Sequence, residues 1–340
     1  MIEVIIVFNK VYEKVINFIK ENLWFFISLI AIILLFNIEL PYIIEMPGGY
    51  IPLNDRITIE GKDNINSELG MAYVSTLKGN IPFILFSYIN PDFDIVSKDK
   101  VMYEDETSSE METRDKLLLN ESISNATIAA YSEAGENFNI EKTKIYVAHV
   151  INKNSEFKTG DNIIKIDGRV VNDIVDIQNY LKTLTINDTV KLTVIRDNKE
   201  IDVKSTLIKE DDRLIMGVTI VNNYEITTNP KVEIKSKKNE SGPSGGLMMA
   251  LTIYDKLTSS NLSKGDKIIG TGTISKDGLV GDIGGVKYKL IGAINNKAKV
   301  FLCSKGNYEE VKKIKEERNY DIIIKDVATL SEAIEYLKSR

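Results

Sequence analysis

At 340 residues the chain is long enough for two or three domains. Its 43% hydrophobic and 27% charged content is that of a folded protein rather than a disordered one, and a net charge of −6 argues against a nucleic-acid partner. One cysteine, Cys303, excludes an intrachain disulfide and a cysteine-based zinc site; no GxxxxGK[ST] phosphate loop occurs, and neither a cofactor nor a metal is expected.

The amino-terminal 22 residues carry Lys10, Lys14 and Lys20 and read as a tail, with an amphipathic helix over 1–20. The uncharged run Asn22 to Ile38 follows, roughly 25 Å of helix at 1.5 Å per residue. Flanking apolar residues extend it to a transmembrane anchor over 23–44, long enough to approach a hydrocarbon core of about 30 Å. No small-x-small cleavage site follows, so a retained anchor is favoured over a removed signal peptide. Lysines precede the run and none follows until Arg56 supplies the next positive charge, which places the tail in the cytoplasm and the bulk of the chain outside it.

Residues 45–116 read as a β-rich segment and linker, with strands at 57–60, 70–76 and 81–85 and an acidic stretch over 104–116 that is either a solvated face or the start of a helix. A helix is expected over 117–134. Residues 140–210 then alternate as strands at 143–150, 163–166, 190–196 and 200–203, with a helix near 174–184. Gly160-Asp161, Asp167-Gly168 and Asp197-Asn198 supply the reversals. His149 reads as a sheet residue.

From 213 onward strands and helices alternate. Cys303 is expected to be a small buried residue of the strand over 300–303. Leu247, Ala250, Leu251, Tyr254 and Leu257 put one buried stripe on a helix after Gly242-Pro243-Ser244-Gly245-Gly246. Ser244 by itself reads either as a helix N-cap or as a nucleophile. Gly242, Gly245 and Gly246 clear side chains from its hydroxyl, and the start of the helix aims unpaired N–H groups at the same spot, which suits an oxyanion. With the one histidine in a different kind of segment, the most economical base for a serine nucleophile is a lysine. An ordinary lysine, with a pKa near 10.4, must lose roughly 3 units to serve, and a small dry pocket can do that. Lys287 and Lys289 open a later helix about 200° apart, so only one can face the serine. Gly285, Gly292 and Ala293 around Lys289 permit close approach and mildly favour it; Lys287 stands as the alternative base.

These motifs carry two resemblances. Lys158-Thr159-Gly160-Asp161-Asn162-Ile163 through Ile166-Asp167-Gly168 resembles a PDZ domain, set at 117–212, which implies capture of an extended polypeptide by strand addition. Gly-Pro-Ser-Gly-Gly at 242–246, Thr-Gly-Thr-Ile at 271–274, the run 278–289 ending Gly-Gly-Val-Lys-Tyr-Lys, and Ala-Thr-Leu-Ser-Glu-Ala at 328–333 resemble the Lon-type proteolytic domain, set at 213–340. Together with the anchor, the chain resembles the membrane-anchored, PDZ-containing Lon-like serine proteases. The resemblance implies an α+β multidomain protein with a transmembrane helix, a β-rich PDZ domain and an α/β proteolytic domain. It implies a Ser-Lys dyad of Ser244 and Lys289, and a Thr271 that orients the amine. Polypeptide substrates, contact with membrane lipid through the amino-terminal helix, cleavage without ATP outside the cytoplasm, and room for a homo-oligomeric ring follow from it as well. Ser241 departs from the aspartate of ATP-dependent Lon, and Gly245 from its usual alanine. The rival reading is a non-enzymatic, membrane-tethered PDZ adaptor on an inactive protease-like platform.

Overall fold

A computed structural model describes residues 2–62, 67–152, 155–210 and 213–340, with side chains from Phe8 onward; the expected boundary at residue 212 lies outside the described residues. The chain forms two compact units, Met1–Met46 with Ser75–Val101, and Pro47–Val74 with Met102–Arg340. The first hundred residues run α1 (Ile2–Glu21), α2 (Leu23–Asn37), β1 (Glu39–Pro52), β2 (Ile57–Ile59), β3 (Leu69–Asn80), α3 (Ile81–Ser87) and β4 (Asp94–Ser97).

In the first unit the expected single span over 23–44 is corrected. Helix α2 stops at Asn37, and residues from Glu39 are strand, pairing antiparallel with β4 through Ile43–Val96 and Ile44–Ile95. β-branched residues facing one another across that ladder favour sheet over a continued helix. Among the described residues no single helix is long and apolar enough to cross a membrane; α1 from Phe8 and α2 meet that standard only as a pair bent by 73°. Residues 81–85, expected as a strand, form α3. The Asn80 side chain accepts the Phe83 N–H at 3.0 Å, and Pro82 sits in the first turn, where its missing N–H costs nothing.

The second unit continues with α4 (Ser108–Ala134), β5 (Asn137–Val150), β6 (Asn162–Ile166), β7 (Arg169–Val170), α5 (Ile174–Leu181), β8 (Thr189–Arg196), β9 (Lys199–Thr206), β10 (Ile208–Glu210), β11 (Arg213–Ile215) and β12 (Val218–Asn229). Helix α4 starts well before residue 117 because Thr107 and Glu110 form a capping box. An antiparallel sheet in the order β12-β5-β6-β8-β9 packs Ile145, Val147, Ile163, Ile166, Leu192 and Val194 into one core with α5. The β8–β9 hairpin turns through Asp197 and Asn198, both at positive φ, as a tight two-residue reversal requires. Buried Asp161 takes both ends of the Arg196 guanidinium at 2.7 Å, which ties the β6 entry to β8. Gly217 at φ +67 separates β11 from β12.

The rest is β13 (Val232–Ile234), α6 (Gly246–Thr258), β14 (Ile268–Gly270), β15 (Thr273–Ile274), β16 (Val280–Gly281), α7 (Val286–Asn295), β17 (Val300–Ser304), α8 (Tyr308–Glu317), β18 (Ile323–Val327) and α9 (Leu330–Ser339). A sheet runs β18-β17-β14-β3-β1, and β18, β17, β14 and β3 are parallel neighbours. Two expected boundaries therefore move. The β1 and β3 residues assigned to a separate segment over 45–116 lie in the same sheet as strands from beyond 213. Helix α4, assigned to the start of the PDZ-like domain, packs Ala126, Ala129 and Ala130 into the core that α6 fills with Leu247, Ala250 and Leu251. The antiparallel sheet is thus inserted between α4 and β13, within a larger α/β domain. Helix α6 is buried on every side from Gly246 to Leu257, not along one stripe.

Candidate active site

Ser244 lies just ahead of α6, half-buried and reachable. It is not the helix cap: Gly245 holds that position, and no side chain caps α6. Three bonds from elsewhere fix the turn. The Asp115 carbonyl accepts the Gly242 N–H at 2.9 Å, Ser122 Oγ donates to the Pro243 carbonyl at 2.9 Å, and the Gly272 N–H donates to the Ser244 carbonyl at 2.9 Å. Asp115 and Ser122 both belong to α4, a contribution the sequence reading missed. Its trace in the sequence is the run of small residues Ser122, Ala126, Ala129 and Ala130, which lets α4 lie close against another element.

Gly246 is needed for that approach. A β-carbon there would stand 2.7 Å from both Ser122 Oγ and Ile274 Cγ2. At Gly245 a β-carbon would meet Met71 Sδ at 2.3 Å, so the glycine makes room for a thioether that lines the cleft. Gly242 sits at φ +82, which only glycine adopts without strain. The Gly246 N–H is taken by the Pro243 carbonyl at 3.2 Å. Among the described residues the N–H groups of Ser244 and Gly245 have no backbone partner, and these remain to face an oxyanion.

Lys289 lies in α7, 4% exposed. Its Nζ donates to Thr271 Oγ1 at 3.2 Å, and Thr271 Oγ1 donates in turn to the Ser244 carbonyl at 3.0 Å. Thr271 is fully buried and held by its N–H on the Leu302 carbonyl at 2.9 Å. Lys289, Thr271 and Ser244 are therefore joined through one hydroxyl. Lys287 is half-buried on the same helix, and its Nζ stands over the Tyr288 ring at 5.4 Å. The chain enters α7 through Gly285 at φ +66, and Asn307 clamps that entry. Asn307 Oδ1 accepts the Ile283 N–H and its Nδ2 donates to the Ile283 carbonyl, both at 2.9 Å, while Ser304 Oγ donates to the same Oδ1 at 2.8 Å. Ser304 and Asn307 carry no motif that marks them in the sequence.

A cleft of about 480 Å³ opens on Ser244 and Gly245, lined by Tyr50, Met71, Tyr73 and Leu119 and, on its other wall, by Arg56 and Glu240. Glu240 is occupied structurally: its carboxylate takes Arg56 Nη1 at 2.5 Å and the Lys237 N–H at 3.0 Å. The remaining reactive residue types lie elsewhere. Cys303 is fully buried in β17, and burial pushes its thiol up to about 12. His149 pairs with Thr219 in the sheet, stacks on Tyr103 at 3.9 Å between centroids, and is held below its ordinary value by burial.

Two family descriptions match this chain: a PDZ domain over residues 130–207 and the Lon protease C-terminal proteolytic domain over residues 232–339. The chain is similar to a serine protease Do-like HtrA of Lactobacillus helveticus, 37% identical over 70 residues, 19% of this chain and 17% of that protein. It is also similar to Lon protease 2 of Borreliella burgdorferi, 26% identical over 118 residues, 34% of this chain and 15% of that protein. The chain thus spans less than a fifth of the length of either relative. Among solved structures, the PDZ domain of an SdrC-like protein from Listeria monocytogenes is 24% identical, covering 23% of this chain and 86% of that one, with a TM-score of 0.21. A PDZ domain followed by a Lon-type proteolytic domain is the make-up of a PDZ-containing Lon-like protease, and the two matches on this chain fit that make-up.

Proposed function

We propose that the chain is a membrane-anchored serine endopeptidase that works outside the cytoplasm without ATP, with Ser244 as nucleophile and Lys289 as base. The observation that carries this reading is the link from Lys289 Nζ through Thr271 Oγ1 to the Ser244 carbonyl, at the mouth of a cleft and beside helix-start N–H groups without a backbone partner among the described residues. A base must offer a neutral amine, and the one placed here is a lysine 4% exposed and held by a buried threonine hydroxyl.

In this mechanism Ser244 Oγ attacks the scissile carbonyl and its proton passes to Lys289 Nζ. The N–H groups of Ser244 and Gly245 hold the oxyanion of the tetrahedral intermediate. Collapse breaks the C–N bond, and Lys289 returns the proton to the leaving amine. Water, deprotonated by the same amine, then hydrolyses the ester and frees Ser244. Thr271 accepts one N–H of Nζ, which orients the nitrogen lone pair. Lys289 is favoured over Lys287 by its bond to Thr271, whose hydroxyl also reaches the Ser244 carbonyl. The PDZ sheet holds an extended segment of the substrate. The polypeptides cleaved are small, unfolded or close to the membrane. The charge-free α2, preceded by a lysine-bearing tail, anchors the protein with its amino terminus inside.

The test is hydrolysis of an unstructured polypeptide by the full chain in detergent. Ser244→Ala and Lys289→Ala should each lower turnover by about four orders of magnitude or more while leaving the fold intact. Turnover retained in Lys289→Ala and lost in Lys287→Ala would move the base to Lys287. Turnover retained in Ser244→Ala would end the reading.

A further inference from the structure

The first unit carries an apolar surface that the proposed chemistry does not use. Residues 79–91, between Lys78 and Asp92, hold no charged side chain. They fold as α3 and the turn after it, and Leu85, Phe86, Tyr88 and Ile89 are between 51% and 80% exposed. Four large apolar side chains at one tip are more than the scattered exposure of an ordinary surface.

The tip adjoins a second charge-free surface. The Phe83 ring meets Phe36 of α2 edge to face at 5.9 Å, and Asn80 Nδ2 donates to the Phe36 carbonyl at 3.1 Å. Asn80 therefore caps α3 with one side-chain atom and holds the carboxyl end of α2 with the other. Helix α2 has no buried residue along its 15-residue length. That length covers about 22 Å, short of a hydrocarbon core of about 30 Å. A short apolar helix is accommodated by local thinning of the bilayer or by flanking groups that reach its interface. The tip supplies such groups at the end of α2 where the chain turns into sheet, with the amphipathic ring of Tyr88 suited to the headgroup level.

We propose that residues 81–89 form a second membrane contact, seated in the lipid interface beside the carboxyl end of α2. The proposal rests on the reading of α2 as a membrane anchor, and one experiment separates the two. Cys303 is fully buried, so an environment-sensitive fluorophore can be directed to an introduced cysteine. The full chain carrying Ile89→Cys, Ile33→Cys or Lys313→Cys is labelled and reconstituted in phosphatidylcholine–phosphatidylglycerol vesicles with or without brominated acyl chains. Ile33 lies in α2, and Lys313 is exposed on α8. The proposal expects strong loss of emission with brominated lipid at positions 33 and 89 and none at 313. Loss at 33 without loss at 89 overturns the second contact and leaves the anchor standing. No loss at either position overturns both. A label at 89 that ignores the brominated lipid but self-quenches as protein density rises gives the face to a second copy, which also overturns the proposal.

Discussion

Helix starts in the PDZ sheet and in the catalytic region are built differently. Helix α5 opens on Asp173, whose carboxylate takes the N–H groups of Val175 and Asp176 at 2.7 and 3.1 Å. Helices α6 and α7 open on Gly245 and Gly285 with no side-chain cap. Glycine in place of a capping side chain gives up roughly a few tenths of a kcal/mol, so these two starts forgo a small stabilisation. What they gain is space, and ahead of α6 the N–H groups of Ser244 and Gly245 have no backbone partner among the described residues; α7 carries Lys289 and α6 adjoins Ser244. The lesson is that glycine at a helix start is informative when the helix behind it is deeply buried: stability comes from the packing of α6, and its opening turn is left clear of side chains.

Four substitutions test that contrast. Thr271→Val should have the largest effect. It removes the hydroxyl between Lys289 and Ser244 with little change of shape, and turnover should fall by about two orders of magnitude, with a pH–rate profile displaced from that of the parent. Unchanged turnover would show that the link is structural only. Gly246→Ala should act on stability, because its β-carbon would stand 2.7 Å from Ser122 Oγ and Ile274 Cγ2 and 3.0 Å from the Ile274 backbone nitrogen. A loss of about 1–3 kcal/mol in denaturant unfolding is expected. Asp173→Ala should remove about 1 kcal/mol and leave turnover alone, since its cap serves the fold and not the site. Gly245→Ala should have the smallest effect on stability. The group in its way is the end of the flexible Met71 side chain, so the fold persists while KM for a peptide shifts as the thioether moves within the cleft.

A pH effect sharpens the same contrast from the other side, at the capped start of α4. His149 packs near Glu106 and Glu110 there, and burial holds its imidazole below the ordinary value near 6.5. The unfolded chain then binds the proton more readily than the folded one. Stability is fully present above about pH 6.5 and declines as pH falls below it. In His149→Gln the thermal midpoint should fall less steeply between about pH 6.5 and 5 than in the parent.

The sequence made some of this legible and hid the rest, for local reasons. Alternation and positive-φ turns marked the PDZ strands because each pairs with a neighbour close in the chain, as β8 and β9 do across Asp197-Asn198. Ser244, Thr271 and the two lysines stood in motifs rich in glycine. The role of β3 was hidden because its partner β14 lies some two hundred residues on, and no local pattern records a parallel pairing over that distance. Helix α4 was placed with the wrong neighbour, since its small residues report close approach without naming what approaches. At 81–85 the run of apolar residues suggested strand, and the cap from Asn80 with Pro82 in the first turn decided for helix. Asn307 and Ser304 support the α7 entry from a turn with no motif of its own.

The central claim is that the Ser244 hydroxyl is activated by the amine held on Thr271. The most direct measurement is acylation by an electrophilic β-lactone, followed by intact mass and mapped by peptide mass spectrometry, in the parent and in Lys289→Ala. The account predicts one acyl group per chain, located on Ser244, and its loss in Lys289→Ala with the fold retained. Acylation at another residue, or equal acylation of Ser244 without Lys289, would contradict it.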